Sequence, residues 1–264
     1  MTDEPPVLLT RDGAVATLTL NRPQVLNAIS LELGETLLGH LREVGKDPEI
    51  RAVVLTGKGR GFSAGADFGS DDLPQTPGGY PDLQGRLIEL FNPAIAEMRA
   101  MPKPIVAAVN GVTAGIGMSF ALACDLILAA ESASFLFAFS GIALSPDGGL
   151  IAHCAARIGL TRTAQLALTG ERLPVSQALE WGLVNAVHPD AELPAAAQAL
   201  AAKLAAGPTV AHAGAKQQLS WVVADLAERL RLEGGLQQRN GETHDFSEGV
   251  AAFLEKRPAQ FLGH

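Results

Sequence analysis

Two glycine-rich stretches and one Pro-Asp-Gly-Gly turn hold the residues of this chain whose types and spacing could do chemistry. The first stretch is Gly57 to Gly69, GKGRGFSAGADFG. The second lies within Lys103 to Asp125, KPIVAAVNGVTAGIGMSFALACD, where Gly115 and Gly117 follow one apolar run and open another. A glycine-rich turn that feeds a helix leaves unpaired backbone N–H groups aimed at one spot. Such a spot can hold a phosphate, or an oxyanion formed during a reaction. Neither stretch contains GxxxxGK[ST], and Gly57-x-Gly59-x-Gly61 lacks the dinucleotide fingerprint, which counts against a nucleotide-phosphate loop. The carboxylates near these features are Asp67, Asp71, Asp72, Asp125 and Asp147, the last in the turn Ser145-Pro146-Asp147-Gly148-Gly149. Ser140 and Ser145 show no His/Asp relay. His153 and Cys154 fall in an apolar helix and read as core. Cys124 and Cys154 are the only cysteines and read as buried thiols rather than a disulfide or metal ligands. The histidines show no HExxH and no Cys/His metal spacing, so no metal is expected.

These groups need a scaffold, and the apolar patterning supplies one. Val7 to Thr10 and Ala14 to Leu20 read as strands about the Arg11-Asp12-Gly13 turn. Ser30 is placed to cap a helix from Leu31 to about Val44, with Leu31, Leu38 and Leu41 on its inner face. Ala52 to Thr56, Ile105 to Val109, Leu126 to Ala130 and Val184 to Val187 read as buried strands. Ser70 to Tyr80 reads as a mobile loop, with Asp71 and Asp72 solvated on it. Asp82 to Ala100 reads as helix, kinked or restarted at Pro93. The chain after Gly115 is helical to Leu122, and Ser134 to Ile142 is extended. A helix follows Gly149 to about Ile158, and shorter helices cover Arg162 to Leu168 and Ser176 to Trp181. From Leu193 onward strands give way to helices at Ala196 to Ala206, Thr209 to Leu232 and Thr243 to Leu254. The organisation expected is an α/β part, 1–195, and an all-helical part, 196–264.

The length of 264 residues and the 47% hydrophobic content allow one sizeable core. The formal net charge of −8 disfavours a nucleic-acid partner. The N-terminus MTDEPPVLLT lacks the basic and apolar regions of a signal peptide, and no run approaches the ~20 apolar residues of a membrane span. A soluble, cytoplasmic protein without a membrane partner is the expectation.

The order of motifs also resembles a known family. Asn21-Arg22-Pro23 precedes Leu26-Asn27-Ala28. Val54-Leu55-Thr56-Gly57 and Phe62-Ser63-Ala64-Gly65-Ala66-Asp67 follow, then Lys103-Pro104-Ile105-Val106-Ala107-Ala108-Val109-Asn110-Gly111 and Cys124-Asp125. Leu168-Thr169-Gly170, Trp181-Gly182-Leu183-Val184 and Phe253-Leu254-Glu255-Lys256-Arg257-Pro258 complete the set. In this order and spacing they resemble the enoyl-CoA hydratase/isomerase family, the crotonase superfamily, nearly end to end. The resemblance implies an α/β crotonase-like spiral of β-β-α turns with a C-terminal helical region that forms a homotrimer or a dimer of trimers. It implies an acyl-CoA thioester as ligand, and no separate cofactor, since coenzyme A is part of the substrate.

Residue by residue, the resemblance assigns the two amides that hold the thioester oxygen to Ala66, after Ala64 and Gly65, and to Ile116, between Gly115 and Gly117. Ile116 stands where the family usually has glycine, so its side chain must point away or narrow the pocket. The two glutamates that family hydratases use fall at Ser119 and Phe139, neither able to do a carboxylate's work, so hydration is not expected. Asp147 matches the acidic residue of isomerase branches, and Phe135 to Gly149 is most similar to the ring-opened phenylacetyl-CoA isomerases. Burial beside Phe137, Phe139 and Leu144 would raise its pKa toward neutrality. Phe253 and Lys256 resemble the tail that meets the CoA nucleotide. Asp67 is expected to shape the loop beside the adenine end or to cap a turn, and Arg22 to meet a phosphate. Three readings stay open here: an enoyl-CoA isomerase with Asp147 as acid/base, a non-catalytic acyl-CoA binder, and a dehalogenase-like enzyme with Asp147 as nucleophile. A turn aspartate capping the next helix is the plain alternative for Asp147.

Overall fold

The computed structural model describes residues 4–69, 74–223 and 225–264. Asp71 and Asp72, with the rest of 70–73, lie outside the described residues.

Six strands form the main sheet. A hairpin of β1 (Val7–Asp12) and β2 (Val15–Leu20) makes the edge, and β2 then runs parallel to β3 (Ala52–Gly57). Beyond β3 come β5 (Ile105–Val109), β7 (Leu126–Ala130) and β10 (Ala186–His188), all parallel. The order is β1-β2-β3-β5-β7-β10. β5 reads IVAAV and is buried at every residue, as a parallel strand covered on both faces must be.

A second sheet, in the order β4-β6-β8-β9, is built from very short strands: β4 (Gly61–Ser63), β6 (Val112–Ala114), β8 (Ser134–Leu136) and β9 (Leu173–Pro174). Each long strand β3, β5 and β7 is followed by its short partner β4, β6 or β8. The chain thus climbs through both sheets as the spiral of β-β-α turns implied by the resemblance. The short strands add to one reading and correct another. Val112–Ala114, between the expected turn and the expected helix, is a strand. Ser134 to Ile142 is extended only to Leu136 and ends in a 3-10 turn at Ser140–Ile142.

Helix α1 (Leu31–Lys46) starts where Ser30 Oγ accepts the Leu33 N–H at 3.2 Å. Its buried face is Leu33, Leu37, Leu38, Leu41 and Val44, with Leu31 only half-buried. Pro93 is accommodated by a change of helix type. α2 (Leu83–Arg86) passes through a π turn, Leu87–Phe91, into α3 (Asn92–Ala100), so the missing proline N–H falls at a new helix start. α4 (Ile116–Ala123) is buried throughout. α5 (Leu150–Thr169) is broken at Gly159, whose φ of +79° is not helical. α6 (Val175–Glu180) leads to β10.

After β10 every element is helical. α7 (Leu193–Ala206) lays Ala197, Ala201 and Ala205 against the main sheet, where small side chains allow close approach. The single helix expected over Thr209 to Leu232 is two: α8 (Thr209–Ser220), a 3-10 turn at Trp221–Val223, and α9 (Leu226–Gly241), with Asp225 in the left-handed region between them. α10 (His244–Glu255) is capped by Thr243, whose Oγ1 accepts the Phe246 N–H. Side-chain bonds fasten α9 to the body of the fold, these among them. Gln238 accepts the Gln84 N–H (3.1 Å), Asn92 donates to Leu230 O (3.1 Å), and Asn240 donates to Ser145 Oγ (3.0 Å).

Among the described residues no helix is long and apolar enough to cross a membrane, and no group of three His, Cys, Asp or Glu side chains is placed to hold a metal ion. Both cysteines are free and buried, and burial pushes Cys124 up to about 12 and Cys154 up to about 11.

Candidate active site

The two glycine-rich stretches meet. Gly65 follows β4 and Gly115 follows β6, so neighbouring parallel strands of the small sheet deliver them side by side. Gly65 has φ +99°, and a Cβ on it would lie 3.1 Å from Ala114 O and 3.7 Å from Gly115 Cα. Only glycine combines that backbone with that approach.

The loop carrying Ala66 is pinned from beneath. Asn27 donates to Gly61 O (2.8 Å), Ser63 Oγ donates to Asn27 O (2.9 Å) and accepts the Gly65 N–H (3.2 Å). A parallel bridge then pairs Ile29 with Ala66: the Ile29 N–H donates to Gly65 O (2.8 Å) and the Asp67 N–H to Ile29 O (3.1 Å). In that pattern the Ala66 N–H has no partner. The Ile116 N–H is in the first turn of α4, where no intrahelical acceptor exists. Gly115, just before it, gives its own N–H to Leu136 O at 3.1 Å.

Ala66 and Ile116 both line a cavity of about 300 Å³. Its wall includes Ala64, Gly65, Ala66, Gly115, Ile116, Phe139, Asp147 and Phe253 of the residues singled out from the sequence. Phe68, Leu144, Gln237 and Val250 add to it. Ile116 does both things open to it: it lines the cavity, and its Cδ1 packs where Gly148 would otherwise carry a Cβ, 2.6 Å away. Gly148, at φ +63°, is therefore a packing requirement as well as a turn.

Four expected binding residues stand elsewhere. Gly117 lets α4 close on β4; a Cβ on it would come within 2.5 Å of Ser63 Cβ. Ser119 is wholly buried, is off the cavity wall, and donates Oγ–H to Asp147 O at 2.8 Å, so it braces the Asp147 turn. Asp67 accepts from Arg22 (2.8 Å) and from the Gly69 N–H (3.0 Å), which spends both side chains on shaping the loop and leaves Arg22 engaged. Lys256 is exposed, off the cavity, and ends α10 in a left-handed conformation. Phe137 is core rather than cavity wall. Asp125 is structural, paired with Arg99 (3.1 Å) and Lys216 (2.8 Å).

Asp147 is the only cavity-lining residue, among those described, with an acidic or basic side chain. It is 5% exposed. Oδ2 accepts from Gln237 Nε2 at 2.7 Å, and Oδ1 has no partner within the described protein. It caps nothing, since the N-terminus of α5 has no side-chain cap. Burial pushes its pKa up to about 7, against the opposing pull of the Gln237 bond and the Arg86 charge. Gln237, Arg86 and Glu233 were not visible as site residues in the sequence. Glu233 accepts the Gly149 N–H at 2.9 Å and is itself raised to about 7, chiefly by burial. His153, in α5, is forced down to about 3 by burial and stays neutral.

A carboxyl tuned to neutrality beside two preorganised amides is a device for moving a proton next to a developing oxyanion. Comparison with known proteins shows the family. Residues 10–264 match the family model described as enoyl-CoA hydratase/isomerase. The chain belongs to the enoyl-CoA hydratase/isomerase family. It is 41% identical over 253 residues to the 1,2-epoxyphenylacetyl-CoA isomerase of Escherichia coli K12, covering 96% of each chain. It is 38% identical over 250 residues to a probable enoyl-CoA hydratase of Rhodobacter capsulatus, covering 94% of this chain and 95% of the other. Its fold superposes on a crystal structure of an enoyl-CoA hydratase from Mycobacterium avium subsp. paratuberculosis with TM-score 0.88 and 36% identity, over 97% and 98% of the two chains. The crotonase-like fold is thus shared with family members whose names differ in the reaction they carry.

Proposed function

We propose that this family member is an enoyl-CoA isomerase that moves a double bond through a thioester enolate. The observation that carries the proposal is that Asp147, a buried carboxyl, lines the same cavity as Ala66 and Ile116, whose N–H groups have no partner in the described protein. An unsaturated acyl-CoA places its thioester oxygen on the two amides. Ionised Asp147 takes a proton from the α-carbon of a β,γ-unsaturated substrate. The electron pair shifts into the thioester, and the resulting dienolate is held by the amides. Asp147 then returns the proton to the γ-carbon, leaving the α,β-unsaturated product. One acid/base suffices because the reaction adds and removes the same proton. The similarity to a relative named as a CoA-thioester isomerase supports this reading.

Hydration separates this proposal from a hydratase reading. Water addition needs carboxylates at Ser119 and Phe139, as the family resemblance has it; the first is committed to Asp147 O, and the second has no proton to give. Crotonyl-CoA is expected to show no enzyme-dependent loss of its enoyl absorbance. Hydration at ~10³ s⁻¹, the fast end of ordinary enzymes, would contradict the assignment. Conversion of a β,γ-enoyl-CoA to its conjugated isomer, which gains that absorbance, is the positive test.

The same reading includes assembly into a trimer or a dimer of trimers. Leu219, Trp221 and Val222 cluster at the end of α8 and in the turn after it, and are between 61% and 70% exposed. A cluster of this size is costly in water and favours burial against another copy. Sedimentation at micromolar concentration is expected to give a species three or six times the chain mass; a monodisperse monomer would overturn it.

A further inference from the structure

A second, much smaller space lies against Asp147. It measures about 20 Å³ and is bordered by Arg86, Asp147 and Gln237 together with Ala66, Phe68, Leu83, Leu87, Phe91 and Leu144. The three polar residues are 6%, 5% and 3% exposed. Each keeps one buried polar atom without a partner in the described protein: Arg86 Nε, Asp147 Oδ1 and Gln237 Oε1. A water molecule needs about 10–15 Å³ and two to four polar partners. Here one unpartnered donor and two unpartnered acceptors belong to three residues that border such a space. Water complements that set: it accepts one hydrogen bond from Arg86 Nε–H and donates two, to Asp147 Oδ1 and Gln237 Oε1.

We infer that Arg86, Gln237 and one buried water form a positioning assembly that holds Asp147 ionised and aimed, and that Arg86 couples it to the loop carrying the Ala66 amide. This rests on the reading of Asp147 as the acid/base. Arg86 is well placed for the coupling. Its Nη2 donates to Ile29 O and its Nη1 to Asp67 O (3.4 Å); Ile29 is the bridge partner of Ala66, and Asp67 is the residue after it. Its guanidinium also sits 4.9 Å from the Phe91 ring centroid. Burial pulls Arg86 down to about 10, which leaves it a cation at neutral pH. The charged groups acting on Asp147 are therefore Arg86 from α2, which favours its ionised form, and Glu233 from α9, which opposes it when ionised. Asp67 acts on Arg86 and Arg229 on Glu233.

The test combines a crystal structure of the unmodified protein at high resolution with pH profiles of β,γ-enoyl-CoA isomerisation for wild type, Arg86→Met and Arg86→Lys. Density for a water within hydrogen-bond distance of all three atoms is expected, and a space with no such density overturns the assembly even if the variants do not fold. Arg86→Met is expected to move the acid limb of kcat/KM up by about one pH unit, the low end of what a neighbouring opposite charge does to a carboxyl. Arg86→Lys restores the charge and brings the limb back toward wild type. A uniform loss of rate with a stationary limb would make Arg86 a loop brace only, and would overturn its part in setting Asp147. If Asp147→Asn left turnover intact, the reading of Asp147 as the acid/base would fall while the water remained visible, so the two failures are distinguishable.

Discussion

Asp147→Asn is expected to lower isomerase turnover by ~10²–10⁴-fold, the usual cost of losing a general acid/base, with acyl-CoA affinity nearly unchanged. The reasons lie in the contacts. Asn keeps an oxygen for the Gln237 Nε2–H bond, and the Ser119 bond goes to the backbone carbonyl, which the substitution leaves alone. The Ala66 and Ile116 amides are held by other elements and should persist. What is lost acts only in the transition state, so rate falls without ground-state binding. Kinetics on a β,γ-enoyl-CoA, with calorimetry on a saturated acyl-CoA, reads the two apart. Equal rates in wild type and variant would remove Asp147 from the mechanism; tight binding without turnover in both would favour a non-catalytic binder. The pH dependence has a definite sign. The base form of Asp147 is the one that begins the reaction, and burial holds its pKa near 7. Wild-type kcat/KM should therefore rise with pH through about 7 and level above it. Any residual rate of the Asn variant should lack that limb.

Ala66→Pro is the second large effect expected. Proline removes an N–H that has no partner in the folded chain, so no internal hydrogen bond is lost. Its ring also intrudes where the thioester oxygen would sit. Removing one oxyanion donor typically costs ~10²–10³-fold in kcat. Thermal unfolding should show the variant folded, and kcat should drop by that factor. Turnover within a few fold of wild type would mean that the Ala66 amide does not face the developing charge.

The sequence is most informative where structure is local. β3, β5 and β7 are apolar runs bounded by turn residues, and Ser30 and Thr243 cap the helices that follow them. The small sheet escapes notice because β4, β6 and β8 are three residues long, too short for any period to show. α1 turns Leu33 and Leu37 inward, a rotation that periodicity does not fix when leucine occurs on several faces. The break between α8 and α9 carries no proline, and the only local sign is Asp225 in a left-handed conformation. At the site, the paired glycine stretches are legible because close backbone approach demands glycine. Asp147 gains meaning only from the order of motifs around it. Gln237 is invisible, since its bond to Asp147 spans 90 residues and depends on how α9 folds back. Arg86 looks like one more helical cation until the chain places it under the Ala66 loop. Ser119 shows the converse: the resemblance puts it where hydratases carry a glutamate, and packing ties it to the Asp147 turn.

The central claim is that one carboxyl carries one proton between two carbons of the acyl chain, and following that proton tests it most directly. A β,γ-enoyl-CoA with deuterium at the α-carbon, converted in ordinary water, should yield α,β-enoyl-CoA with deuterium at the γ-carbon above the level that solvent exchange alone would leave. Transfer of this kind is expected because Asp147 is 5% exposed and holds the label away from bulk water between the two steps. Product with solvent hydrogen alone at the γ-carbon, and turnover that survives Asp147→Asn, would contradict the account.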